Sequence, residues 1–155
     1  MKKSENAKKL FEQGYNCAQA VFCAFCEDEG ISFKTGLKLS SSFGGGMGRL
    51  REVCGAVSGM FLAAGIIYGY DSNDDKQAKT MHYKLIQKLA EKFKEENGSI
   101  ICRDLLGLNR QKDSYVPEDR TKEYYKKRPC AELVAFAAEI LENYIEEKKK
   151  SQIQE

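Results

Sequence analysis

The amino-acid sequence predicts an all-α, single-domain bundle of about five to six helices around a buried, glycine-rich central helix. Three observations predict it. Apolar residues recur at three- and four-residue spacing, as in Leu10, Gly14, Ala18, Val21 and Phe25, and again in Ala78, Met81, Leu85, Leu89 and Phe93. No run sustains the alternation of a strand. Only two prolines, Pro117 and Pro129, interrupt the 155 residues, and both lie late.

Each element follows in order. The first helix is expected from about Ser4 to Glu27, with Lys9, Glu12, Asn16 and Gln19 opposite the apolar stripe. A shorter helix covers Ser32 to Ser40. Phe43-Gly44-Gly45-Gly46-Met47-Gly48 is too rich in glycine for regular structure and reads as a loop needing unusual backbone angles. The central helix follows from about Arg49 to Ile67. Gly55, Gly59 and Ala63 fall four apart and leave one face nearly bare, open to a close backbone inside the chain or to a homodimer. The fourth helix, Asp74 to Glu96, closes at Asn97-Gly98. Ser99 reads as the cap of a short helix, Ile100 to Leu106. Asn109 to Arg128 is polar and reads as loop with a short helix. Pro129 suits the first turn of a last helix that runs to about Glu147, with Val134, Ala137, Leu141 and Ile145 inward. A polar tail begins near residue 148. No repeat or linker divides the chain, so 1–155 reads as one domain.

Composition narrows the functional classes. The apolar content of 42% suits a globular core. A net charge of +2 gives no field to hold nucleic acid, and the basic runs 126–128 and 148–150 read as solvated helix faces. The uncharged run Val53 to Tyr70 is about long enough to span a bilayer. It carries four glycines in an otherwise polar chain, and reads as a buried helix rather than a membrane span. The polar N-terminus has no apolar signal segment. Together with six cysteines this points to a reducing cytoplasm, where clustered cysteines serve metals or redox chemistry rather than structural disulfides.

The cysteines separate by position. On one continuous first helix, at about 100° per residue, Cys17 falls at the edge of the apolar stripe. Cys23 falls on the polar face and Cys26 at the far boundary. Cys23-Ala24-Phe25-Cys26 is formally a C-x-x-C, but its context is wrong for a thioredoxin-like motif and there is no second pair to complete a zinc site. Cys54, Cys102 and Cys130 each fall near a helix start and near arginines: Arg49 and Arg51, Arg103, and Arg128. A helix N-terminus and a guanidinium both favour thiolate, the form that attacks disulfides and binds metals. The plainer reading is that each cysteine is a small buried hydrophobe. Gly44, Gly45 and Gly46 with Arg49 form a weaker candidate, an anion cradle that lacks the ending of a P-loop. The one histidine, His82, reads as a packed structural residue.

These stretches, taken together, resemble one family. They are Gly14-Tyr15-Asn16-Cys17-Ala18, Phe43 to Gly48 running into Cys54-Gly55-Ala56-Val57-Ser58-Gly59, Cys102-Arg103-Asp104, and Arg128-Pro129-Cys130. The chain resembles the redox-active proteins labelled by the pattern C_GCAxxG_C_C, here written in the order Cys-Gly-Ala-x-x-Gly. The resemblance implies four characteristic cysteines, matching Cys17, Cys54, Cys102 and Cys130, with Cys23 and Cys26 outside the pattern. The expectation is a redox protein whose four cysteines either ligate an iron–sulfur cluster or zinc, or form a dithiol–disulfide couple. Its redox partner is not named by the sequence. The competing class is a helical binding or assembly module with buried structural cysteines.

Overall fold

In a computed structural model, residues 1–108 and 112–154 are described, and among them every regular element is helical. The order is α1 (Lys3–Glu12), α2 (Cys17–Cys23), α3 (Phe33–Ser40), the single turn α4 (Gly44–Met47), α5 (Gly55–Tyr68), α6 (Lys76–Asn97), α7 (Cys102–Leu105), α8 (Lys122–Lys127) and α9 (Cys130–Gln154). Two 3₁₀ turns, Cys26–Glu29 and Ser41–Phe43, complete it. Part of the expected segment Asn109–Arg128 lies outside the described residues.

The expected long first helix is two helices. Gly14 takes a left-handed angle, φ +104°, and stops α1. Asn16 then starts α2 through a reciprocal capping box: its Oδ1 accepts from the Gln19 amide at 2.9 Å, and its own amide donates to Gln19 Oε1 at 3.0 Å. The break makes Cys17 the first helical residue of α2 rather than a mid-helix residue.

The central helix α5 begins at Gly55, six residues later than expected. Its first two turns are buried, from Gly55 to Met60. A side chain on the bare face would have nowhere to go: a Cβ at Gly59 would lie 2.7 Å from the Ala18 carbonyl oxygen and 3.0 Å from Val21 Cβ. The glycine face is therefore filled by α2 within the chain. At 14 residues α5 is shorter than the ~20 needed to cross a bilayer, and no helix among the described residues is long and apolar enough to do so.

Around this pair, α9 lies against α1, α5 and α6. Phe11, Phe22, Met60, Leu89, Phe93 and Leu141 are its fully enclosed large side chains. In α6, Leu85, Leu89 and Phe93 are buried as the spacing predicts, but Met81 is 57% exposed. The helix stops at Gly98, left-handed at φ +85°. The polar tail continues α9 as helix to Gln154, exposed from Lys148 to Ile153; lysine, glutamate and glutamine are good helix formers, and charge alone does not end a helix.

One isolated antiparallel bridge, Val53 to Ile101, positions the site. The Cys54 amide donates to Ile100 O at 2.8 Å, and the Cys102 amide donates to Glu52 O at 2.6 Å. Two cysteines 48 positions apart are thereby held on adjacent strands of chain. Ser99 does not cap α7 directly. Its hydroxyl accepts from the Ile101 amide at 2.9 Å, and α7 starts at Cys102 with Ile101 as its uncapped N-cap.

Candidate functional site

Cys17, Cys54, Cys102 and Cys130 line a single cavity of about 60 Å³ at one end of the bundle. Three of them open a helix, α2, α7 and α9, and Cys54 is the N-cap of α5. Glycines supply the room. A methyl group at Gly55 would collide with the Cys17 sulfur, one at Gly46 would lie 2.6 Å from Cys102 Cβ, and one at Gly44 would strike the Asn16 side chain. The glycine loop thus clears space for the cysteine helices, and Gly45 itself lines the cavity.

The segment between the loop and α5 is strained. Gly45, Gly46 and Gly48 have positive φ, as expected, but so do Met47 (+68°), Arg49 (+69°) and Arg51 (+61°). A left-handed non-glycine residue costs about 1–2 kcal/mol. Hydrogen bonds hold it: Asp113 N–H donates to Arg49 O at 2.9 Å, Glu52 N–H to Gly46 O at 3.0 Å, and the Arg103 guanidinium to Arg51 O at 3.1 Å.

Three guanidiniums join the thiols in the cavity wall: Arg51, Arg120 and Arg128. Arg51 is buried, donates to the Cys102 sulfur at 3.5 Å and pairs with Asp113 at 3.0 Å. Arg120 lies 4.3 Å above the Phe11 ring and 5.0 Å from that of Tyr124. It donates to the carbonyls of Phe11 (3.0 Å) and Tyr15 (3.1 Å). Arg128 pairs with Glu118. Sequence reading flagged Arg51 and Arg128 as neighbours of cysteines and passed over Arg120, whose contacts reach back more than a hundred positions.

The expected bias toward thiolate is overturned at Cys54 and Cys130. Burial pushes Cys54 well above the ordinary range, and the neighbouring Cys17 adds to it; the amides of Val57 and Ala56 pull the other way and lose. Burial, then Cys17 and Cys102, pushes Cys130 up to about 12 against the pull of Arg128 and Arg120. Cys17 is also raised by burial, although the Gly45 amide donates to it. Helix starts and arginines act in the expected direction, but desolvation of the charged form is the larger effect here.

Cys23 and Cys26 contradict the placement of Cys23 on a polar face. They are 4% and 0% exposed, at the other end of α2 from Cys17. The break at Gly14 resets the helical phase, and α3 covers that side. Both sulfurs press on α3: a Cβ at Gly36 would lie 2.6 Å from Cys26 Sγ and 3.1 Å from Cys23 Sγ. Their thiols share a hydrogen bond, and burial followed by the neighbouring Cys26 pushes Cys23 up to about 12. All six cysteines are free. His82 stands apart from the cavity, with its ring 6.0 Å from that of Tyr70.

Four thiols from four parts of the chain, walled by arginines, define an all-α protein with a cysteine-lined cavity. The particular family is shown by comparison: residues 15–144 match the family described as "Putative redox-active protein (C_GCAxxG_C_C)", and the chain belongs to it. No curated protein and no solved structure matches the chain.

Proposed function

We propose that the four-cysteine cavity ligates an iron–sulfur cluster and serves single-electron transfer. The observation that carries this reading is that Cys17, Cys54, Cys102 and Cys130 line one cavity together with Arg51, Arg120 and Arg128. A cavity takes one water once it offers about 10–15 Å³, so about 60 Å³ exceeds what one ion needs. Among the described residues, no three Cys, His, Asp or Glu side chains are grouped to hold a single metal ion. That applies to zinc, which needs each sulfur at about 2.3 Å, and to cluster iron alike; the volume beyond that of one ion is what favours the larger group.

The thiol chemistry favours the same reading. A dithiol–disulfide cycle needs an attacking thiolate, and burial opposes thiolate at Cys17, Cys54 and Cys130. Cationic iron removes that penalty by binding the deprotonated sulfur directly. When bound, a cluster supplies a one-electron couple whose potential follows its charge and the hydrogen bonds to its sulfurs. The chain's own contribution would be four sulfurs, the guanidinium of Arg120 with those of Arg51 and Arg128 shared with Asp113 and Glu118, and hydrogen bonds from Arg51 to Cys102 and from the Gly45 amide to Cys17.

The experiment is anaerobic reconstitution of the purified chain with iron and sulfide, followed by visible absorption and assay of iron and acid-labile sulfide. Broad visible absorption with both elements bound, bleached on reduction, is the expected result. Colourless protein free of iron, with a Cys17–Cys54 disulfide formed in a thiol–disulfide buffer, would overturn it in favour of the dithiol couple.

A further inference from the structure

We infer that the cleft beside the cysteine cavity binds a small oxyanion and presents it to the thiol site. The cleft has a volume of about 250 Å³ and shares Asn16, Gly45, Arg51, Arg120 and Tyr124 with the cavity, so the two spaces meet along a common wall. Its lining adds Arg49 and Glu118, so three guanidiniums and one carboxylate face the cleft, with Asp113 a second carboxylate paired to Arg49 and Arg51. Asp113 takes Arg51 at 3.0 Å. Arg49 is differently placed: its Nε donates to Ser114 O at 2.6 Å, but its terminal nitrogens stay 3.7 Å from Asp113 and 3.9 Å from Glu118. Those separations are ion pairs longer than a hydrogen bond, so Arg49 is held beside both acids by charge while it lines the cleft.

The backbone argues that this placement is built. Arg49 and Arg51 both hold left-handed angles that non-glycine residues avoid, and both residues line the cleft. Strain of this kind concentrates where a group must be aimed. Guanidinium forks match the paired oxygens of carboxylates and tetrahedral oxyanions, and low-dielectric walls strengthen the attraction. The ligand class is therefore a small anion with two or more terminal oxygens. Its presentation to the thiols rests on the redox reading above; its binding does not.

Isothermal titration of the metal-free full chain with sodium sulfate, against sodium chloride at matched ionic strength, tests the binding alone. Sulfate is expected to bind one site per chain, and Arg49→Gln to weaken it about tenfold. Arg49→Lys should restore only part, because an ammonium cannot form the fork. Glu118→Gln should tighten binding several-fold by removing the one carboxylate in the lining, a gain that a purely structural role for these residues would not give. No heat beyond that of chloride, or the same affinity in Arg49→Gln and Glu118→Gln as in the parent, would overturn the inference. Because no iron is present, failure of sulfate binding says nothing against the iron–sulfur reading, and failure of iron uptake leaves sulfate binding as measured.

Discussion

Cys17 and Cys23 stand at opposite ends of the seven-residue helix α2, and their surroundings could hardly differ more. Cys17 faces a cavity with three other thiols and three arginines. Cys23 faces Cys26 and the backbone of α3 at Gly36, with its neighbouring charges acidic rather than basic. Both regions bury sulfur and both hold thiols above their ordinary pKa. What separates them is open space and positive charge. Burial alone makes a cysteine part of the core; a cavity with compensating cations makes it available to a ligand that carries charge.

The contrast can be broken most severely at the contact both regions share. Gly59→Val would drive a side chain into the Ala18 carbonyl and Val21, and is expected to destabilise the fold by about 3 kcal/mol. Urea denaturation measures it; a variant as stable as the parent would show that α2 and α5 are not packed as described.

Two smaller substitutions separate the regions. Gly55→Ala pushes on the Cys17 sulfur and should abolish iron uptake. Gly36→Ala pushes on Cys26 and Cys23, and should cost about 1–2 kcal/mol while iron uptake stays at the parental level. Iron lost equally in both variants would remove the distinction between the two cysteine settings.

The last effect is one the two regions share, and at neutral pH it vanishes. Cys130 and Cys23 are each pushed from 9.0 to about 12. Below pH 9 both the folded and unfolded chains keep the proton, and stability is unaffected. As pH rises from 9 toward 12 the unfolded chain releases it and the folded chain does not, so stability falls by about 1 kcal/mol per pH unit for each such group. Cys130→Ala and Cys23→Ala should each flatten the pH dependence of the denaturation midpoint over that window, although only Cys130→Ala should lose iron. An unchanged slope in either variant would show that its thiol titrates normally in the fold.

Much of this was legible before any coordinates. Period 3.6 spacing placed α6 and α9, the uncharged run marked α5 though not its start, Gly98 marked the end of α6, and the bare face at Gly55 and Gly59 pointed to a close backbone without deciding between α2 and a second chain. The break at Gly14 was missed because Leu10, Gly14 and Ala18 continue a helical spacing through it. The signal that could have found it was Asn16 with Gln19 three positions on, a capping box within the expected helix. That single error put Cys23 on the wrong face. The strained arginines were not legible, since left-handed angles at Met47, Arg49 and Arg51 are imposed by tertiary bonds to Glu52, Arg103 and Asp113. Thiolate character was misjudged for a related reason: the sequence displays the arginines, whereas burial emerges only from the packing of distant helices.

Iron content of the six single Cys→Ser variants, measured on folded protein after anaerobic reconstitution, tests most directly whether four of these thiols act as one site. Loss at positions 17, 54, 102 and 130, with parental iron at 23 and 26, is the predicted pattern. A uniform response at all six, or loss of iron on changing position 23, would contradict it.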